Sequence, residues 1–204
     1  GANACILHYS ANDALLHDGA LLLIDAGCEL DGYAADITRT FPANGKFSAP
    51  QRALYELVHA SQEAAVAVTR AGARFTDPHE ATVKVLAQGL LDLGLLDKNK
   101  VGTLSDVIEK RAYFQFYMHR TGHWLGMDVH DCGSYVEPSE LGQSHERKDP
   151  LSGETITNRP SRILRPGMCT TIEPGIYVRP AAGVPEQFHN IGIRIEDDAI
   201  VTET

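Results

Sequence analysis

No apolar run in these 204 residues approaches the roughly 20 that a membrane span requires; Ala20–Ile24 is only a short cluster. The opening Gly1-Ala2-Asn3-Ala4 has neither the basic start nor the long apolar stretch of a secretory signal, so none is expected. Basic residues are few and nowhere clustered: 18 Lys and Arg against 27 Asp and Glu, a formal charge of −9. That balance argues against nucleic acid and against an anionic membrane as partners. The four cysteines, Cys5, Cys28, Cys132 and Cys169, form no C-x-x-C pair. Their spacing argues against a thiolate zinc site or a disulfide framework, and they are expected to be reduced core residues of a cytoplasmic protein. Carboxylate is the abundant chemistry here, and the question it raises is whether some of it converges on a metal.

With 43% hydrophobic residues, residues 1–204 are long enough for one substantial domain. Leu21–Ile24 and Tyr33–Phe41 are strand candidates joined by the turn signal Glu29-Leu30-Asp31-Gly32, which predicts a β-hairpin. Ser48 with Pro50 opens a helix that Gly72 stops, and Leu54, Leu57, Val58, Ala65 and Val68 recur at helical spacing within it. A second helix is expected to open with Asp77 as cap ahead of Pro78, and to stop near Gly94. Residues 104–112 suggest a short helix and Tyr113–Met118 an aromatic-rich strand. Residues 137–162 have little apolar content and much Gly, Pro, Ser and charge, so a long inserted surface loop is expected there. Cys169–Glu173, Ile176–Val178 and Ile191–Val201 complete the strands. Runs of antiparallel strands around paired helices predict an α+β domain.

Three features carry chemistry. Asp25 ends the first strand and Asp36 lies within the second. A two-residue turn at Leu30-Asp31 would set them directly opposite, and one at Asp31-Gly32 would make them diagonal neighbours. Either register brings two like charges together, which is unfavourable unless a cation lies between them. Ile191-Gly192-Ile193-Arg194-Ile195-Glu196 alternates, so Arg194 and Glu196 project together from the face opposite the isoleucines. Glu173 stands where a strand breaks at Pro174-Gly175. Finally, His119, His123 and His130 fall close together among glycines that permit close backbone approach. The i, i+4 pair His119 and His123 is not a zincin helix, because position 120 is Arg rather than Glu and Gly122 interrupts it.

Together, Leu23-Ile24-Asp25-Ala26-Gly27, Ala35-Asp36-Ile37-Thr38-Arg39-Thr40, Gly122-His123-Trp124-Leu125-Gly126, Thr171-Ile172-Glu173-Pro174-Gly175 and Arg194-Ile195-Glu196-Asp197-Asp198 resemble the pita-bread metallopeptidases, the group of methionine aminopeptidase, aminopeptidase P and prolidase. Each motif is short, but the five in this order are specific and cover nearly the whole chain. The resemblance implies a curved antiparallel sheet flanked by helices. It implies two divalent cations held by Asp25, Asp36, His123, Glu173 and Glu196, with Asp36 and Glu196 bridging. Mn²⁺ is favoured, and Co²⁺, Fe²⁺ or Zn²⁺ also suit such donors. The activity implied is hydrolysis of an N-terminal peptide bond by a water or hydroxide held between the metals, with Glu173 moving its proton. His8, His119 and His130 match histidines of the substrate site, while Arg194 and, more weakly, Tyr177 match residues that orient ligands. The stretches Asn190–Asp198 and Asn3–Tyr9 look more like aminopeptidase P than prolidase. A peptide with proline second is therefore the expected substrate, with Xaa-Pro dipeptides as the alternative. The family's catalytic domain starts earlier and continues past Thr204, so the chain is expected to be part of a longer, homo-oligomeric protein. A binding module without catalysis, or a metal-free hydrolase resembling creatinase, should lack several of these five ligands.

Overall fold

Two antiparallel ribbons organise the chain in the computed structural model, which describes residues 1–203. The first pairs β1 (Leu21–Asp25) with β4 (Thr38–Pro42) and, further along, β2 (Glu29–Leu30) with β3 (Tyr33–Ala34). Asp31 and Gly32 both have positive φ, +52° and +83°, the geometry of a two-residue hairpin turn whose twist matches the strands. Of the two expected registers the structure therefore has the diagonal one, with Asp25 opposite Thr38. The register holds across the intervening residues. Ala26 N–H donates to Ile37 O (3.0 Å) and Ala35 N–H to Cys28 O (2.8 Å), which sets Gly27 opposite Asp36. A Cβ on Gly27 would lie 1.6 Å from Ala35 O, so only glycine fits at this position.

The second ribbon pairs β7 (Cys169–Ile172) with β10 (Asp197–Ile200) and β8 (Gly175–Val178) with β9 (Ile191–Arg194), again in one continuous register. The expected strand Ile191–Val201 is thus two strands. The ladder lapses where Pro174 has no N–H to give, and that lapse sets Glu173 opposite Glu196. Their amides bond elsewhere: Glu196 N–H to Thr38 O (3.0 Å) and Glu173 N–H to Thr121 O (2.7 Å). The first of these bonds ties the two ribbons together.

Helices α1 (Ala49–Val68) and α2 (Asp77–Asp92) cover one side. Ser48 and Gln51 form a reciprocal capping box at the start of α1. The cap of α2 differs from expectation. Asp77 lies inside the first turn and its carboxylate accepts from Arg74 N–H (2.8 Å), while Thr76 in the cap position makes no side-chain bond. Leu54 and Val58 of α1, Leu86 and Leu90 of α2, and Ile176 and Ile193 of the second ribbon share one core. Each such side chain contributes about 1.5–3 kcal/mol through burial.

Short helices α3 (Lys98–Val101) and α4 (Leu104–Glu109) follow. The expected strand Tyr113–Met118 is not formed. Arg111 adopts φ +54°, a 3₁₀ turn spans Ala112–Gln115, and Tyr113, Phe116 and Tyr117 point into the core. Residues 137–162 are also more ordered than a solvated loop. Within them β5 (His145–Lys148) and β6 (Thr155–Asn158) form a hairpin. Its base is held by Glu137, 1% exposed, whose carboxylate accepts from Arg165 Nη2 (2.9 Å), Ile163 N–H (2.9 Å) and Ser139 Oγ (2.8 Å). All four cysteines are free, but only Cys5 is buried; Cys28 and Cys132 are exposed, contrary to the core placement expected of them.

Candidate metal centre

The two ribbons meet with their carboxylates on the same side. One ligand-type atom each from Asp36, His123 and Glu196 lies within 4.8 Å of the others. Glu173 adjoins them, with His123 Nε2 3.6 Å from its Oε1 and 3.4 Å from Asp36 Oδ2. His123 is carried by an extended segment bonded to β7: Thr171 N–H donates to His123 O (3.0 Å) and Thr170 Oγ to the same carbonyl (2.8 Å). Gly122 permits that approach, since a Cβ there would lie 2.0 Å from Thr171 O. The other ring nitrogen, Nδ1, faces Trp124 O at 3.0 Å. A carbonyl only accepts, so Nδ1 holds the proton and in the neutral ring Nε2 turns its lone pair towards two carboxylates. A lone pair facing carboxylate oxygens is repulsive without a cation, and this donor set of one imidazole and several carboxylates fits a divalent metal.

The acids themselves show the same tension. Burial, opposed by nearby Arg194 and reinforced by Asp36, raises Glu173 to about 7. Burial, opposed by the Thr38 hydroxyl and reinforced by Glu173, Asp36 and Asp25, raises Glu196 to about 8. Asp36 is raised by burial and then by Asp25. Of these three acids, Glu173 is the one whose rise is opposed chiefly by the nearby charge of Arg194.

Arg194 is buried, and its direct side-chain bonds are to Asp25, Thr38 and Tyr177 rather than to Asp36 or the Glu196 carboxylate. It bonds Asp25 Oδ2 through Nη2, donates to Thr38 Oγ1 through Nε (3.1 Å) and to Tyr177 OH through Nη1 (3.2 Å). Thr38 Oγ1 in turn donates to Glu196 Oε2, so the guanidinium acts on Glu196 at one remove. Asp25 stands at the mouth of the site, 43% exposed in its side chain.

Of the expected substrate histidines, His119 is the most constrained. Nδ1 donates to Arg120 O (2.7 Å), leaving Nε2 to accept from Tyr177 OH (2.9 Å), and burial lowers the ring to about 4. His130 is exposed and lies edge-on to His123, with ring centroids 4.2 Å apart. His8 is exposed and lines the same cleft. All three line one cleft of about 960 Å³ together with the acids. Sequence reasoning missed His79 and Thr121. His79 Nδ1 and Tyr117 OH both bond Thr121 Oγ1, at 2.9 and 2.6 Å, and burial followed by the charge of Arg120 lowers His79 to about 3. Nothing in the spacing marks His79, which in the sequence is one more polar residue of the first turn of α2.

The motif order and this acid–histidine geometry agree with the family comparison: the model of metallopeptidase family M24 matches residues 1–203. The chain belongs to that family. It is 51% identical over its full length to a Xaa-Pro aminopeptidase of Haemophilus influenzae and 46% identical to that of Escherichia coli K12, covering 41% of each. Among solved structures, the Pseudomonas aeruginosa aminopeptidase PepP superposes with a TM-score of 0.85 at 50% identity. An Escherichia coli aminopeptidase P variant in complex with substrate gives 0.84 at 46%. Both are matched over the whole of this chain and 41% of theirs. The fold is thus that of the pita-bread peptidases, and the chain spans about two fifths of the length of these relatives.

Proposed function

We propose that this chain carries the catalytic site of a dinuclear-metal aminopeptidase that releases the first residue from peptides with proline second. The observation that carries the reading is the set of Asp36, His123, Glu173 and Glu196 side chains around one point, with the His123 lone pair turned towards acids. Relatives named Xaa-Pro aminopeptidase supply the substrate class. Asp25, Asp36, His123, Glu173 and Glu196 are the proposed ligands, and Mn²⁺ is the proposed metal. Four carboxylates bring −4 to the set, which two divalent ions would neutralise. Bound there, the ions would acidify a water and polarise the scissile carbonyl.

The chain's own groups have distinct tasks in this reading. Glu173, flanked by Thr171 Oγ1 at 3.3 Å, accepts and returns a proton at a carboxylate oxygen. Arg194 fixes the orientation of Asp25 directly, of Glu196 through Thr38 and of His119 through Tyr177. His119 is held neutral, with its ring plane set by both neighbours. Among the described residues the ring nitrogens of His130 and His8 have no hydrogen-bond partner, and they hydrogen-bond the substrate and the oxyanion that develops from its carbonyl. We place the protein in the cytoplasm as a homo-oligomer. Two exposed free thiols, Cys28 and Cys132, suit a reducing compartment, and no helix among the described residues is long and apolar enough to cross a membrane.

The test is hydrolysis of a Xaa-Pro-Yaa tripeptide by metal-stripped protein before and after Mn²⁺ is returned, beside an Xaa-Pro dipeptide and a proline-free tripeptide. Cleavage of the proline tripeptide only after metal return is expected. Preference for the dipeptide would make the protein a prolidase instead, and no cleavage by a metal-loaded protein would leave a binding role.

A further inference from the structure

The site accounts for the floor of the cleft but not for its far wall, which belongs to the β5–β6 hairpin. Cross-strand register puts His145 opposite Asn158 and Arg147 opposite Ile156, so these four share one face of the hairpin. His145, Arg147 and Asn158 all line the cleft that holds the acid–histidine cluster. Glu146 and Lys148 take the reverse face by alternation.

The hairpin is fastened at both ends. Its base is held by the Glu137–Arg165 pair and by Arg74, which binds Glu140 through two nitrogens at 2.9 and 3.0 Å. Its tip is held by Arg111 Nη1 donating to Asp149 Oδ2 at 2.7 Å, a pair largely shielded from solvent. Asp149 also accepts from Leu151 N–H (2.9 Å) and Ser152 N–H (3.0 Å), so the same carboxylate shapes the turn and latches it to the body. The guanidinium of Arg111 is further supported over the ring of Phe114, 4.5 Å from its centroid. A two-stranded ribbon is marginal alone, and these pairs hold it in place as a strap.

The strap gives the cleft a charge gradient. Asp36, Glu173 and Glu196 are buried or half-buried, while Arg147 and Arg159 from the strap and Arg120 from the body line the same cleft and are exposed. None of those three guanidinium groups makes an ion pair among the described residues, in a chain whose acids outnumber its bases by nine. Glu80 is an exposed acid that lines the same cleft. An aminopeptidase has one residue on the amino side of the bond it cleaves, so the remaining length of the cleft receives the leaving peptide. Its positive amino end belongs at the acidic floor, and a group reaching the strap meets arginine.

We propose that the β5–β6 strap selects peptides carrying a carboxylate shortly beyond the scissile bond, through Arg147 with Arg120 and Arg159. The inference rests on the aminopeptidase reading for the direction of the peptide. Either a C-terminal carboxylate or an acidic side chain offers this chemistry, and short peptides with free C-termini are the simplest case.

Binding rather than turnover carries the test. An uncleavable analogue of Ala-Pro-Ala, with the first amide reduced to a methylene amine, is titrated calorimetrically into the intact metal-loaded protein. It is compared with its C-terminal amide, and with an amide whose third residue is Asp. The acid is expected to bind about tenfold more tightly than the plain amide. Arg147→Gln should bring the acid down to the amide's affinity, Arg147→Lys should keep part of the difference, and raising the salt should shrink it. Asp149→Asn, which releases the tip, should lower the preference several-fold. Tighter binding of the Asp-containing amide would also support the strap, naming a side chain as the source. Equal affinity for all three ligands, or an undiminished preference in Arg147→Gln, would overturn it. Hydrolysis of the ordinary tripeptide is measured alongside. No hydrolysis with the anion preference intact removes the aminopeptidase reading and keeps the strap, and normal hydrolysis with no preference does the reverse.

Discussion

Asp36 and His130 differ in what their loss should do, because one faces the cation position and the other faces the cleft. Asp36 lies within reach of both His123 and Glu196 and belongs to the acid cluster. Asp36→Asn keeps the shape and removes a charge proposed to serve both ions. Metal affinity should fall by at least about 100-fold, more than an outer partner costs, and turnover should vanish with it. His130→Ala should instead lower kcat about 100-fold while metal content stays that of the parent, since the ring is exposed and packs only edge-on against His123. Metal analysis beside steady-state kinetics separates the two, and metal loss in His130→Ala would make it a ligand. At this scale the acids and histidines were legible because their types are unusual in strands and near glycines. Arg194 was legible as a site residue but not as the partner of Asp25, because that contact joins the start of one ribbon to the end of the other and no local pattern encodes it. Thr38 was missed for a related reason: a threonine in a strand looks like ordinary β-propensity until Arg194 and Glu196 are both seen to use its hydroxyl.

Elements were legible where a local device forces them. The Asp31-Gly32 turn fixes the register of the first ribbon, and the Ser48 capping box starts α1. They were obscure where a distant contact decides. Tyr113–Met118 has strand composition, yet among the described residues its one backbone link to the second ribbon is Tyr177 N–H to Phe116 O, and its aromatics are drawn into the helical core instead. Residues 137–162 look solvated because Glu137 is polar, and its charge partner Arg165 lies 28 residues downstream. That pair predicts a pH dependence. The Arg165 guanidinium and the Ile163 and Ser139 contacts lower Glu137 from its ordinary value near 4.5 to about 2. A depressed acid binds fewer protons folded than unfolded, so its stabilisation is complete above pH 4.5 and is lost as pH falls towards 2. Glu137→Gln should therefore melt below the parent at neutral pH, with the gap closing between pH 4.5 and 2 in paired thermal scans. A gap that stays constant across that range would mean the carboxylate charge is not what anchors the base of the strap.

Across the whole molecule, the proposed ligands come from five separated places: the end of β1, the stretch between β3 and β4, the segment at His123, the Pro174 lapse, and the junction between β9 and β10. A cation there would cross-link segments far apart in sequence while offsetting the burial, and then the mutual repulsion, that raise Glu173 and Glu196. Binding to the folded chain alone stabilises it by mass action, about 2.7 kcal/mol at one hundred times the dissociation constant. For a domain of this size that corresponds to about 5–10 °C in melting temperature. Mn²⁺ should thus raise the melting temperature of the metal-stripped protein by that amount, and chelator should reverse it. Asp36→Asn should melt higher than the parent when both are stripped, because a buried like charge is gone, and should gain little from Mn²⁺. The opposing signs are the useful part, since a merely structural role for Asp36 would lower stability in both conditions. An equal Mn²⁺ shift in parent and variant would place the ion elsewhere and dissolve the proposed centre.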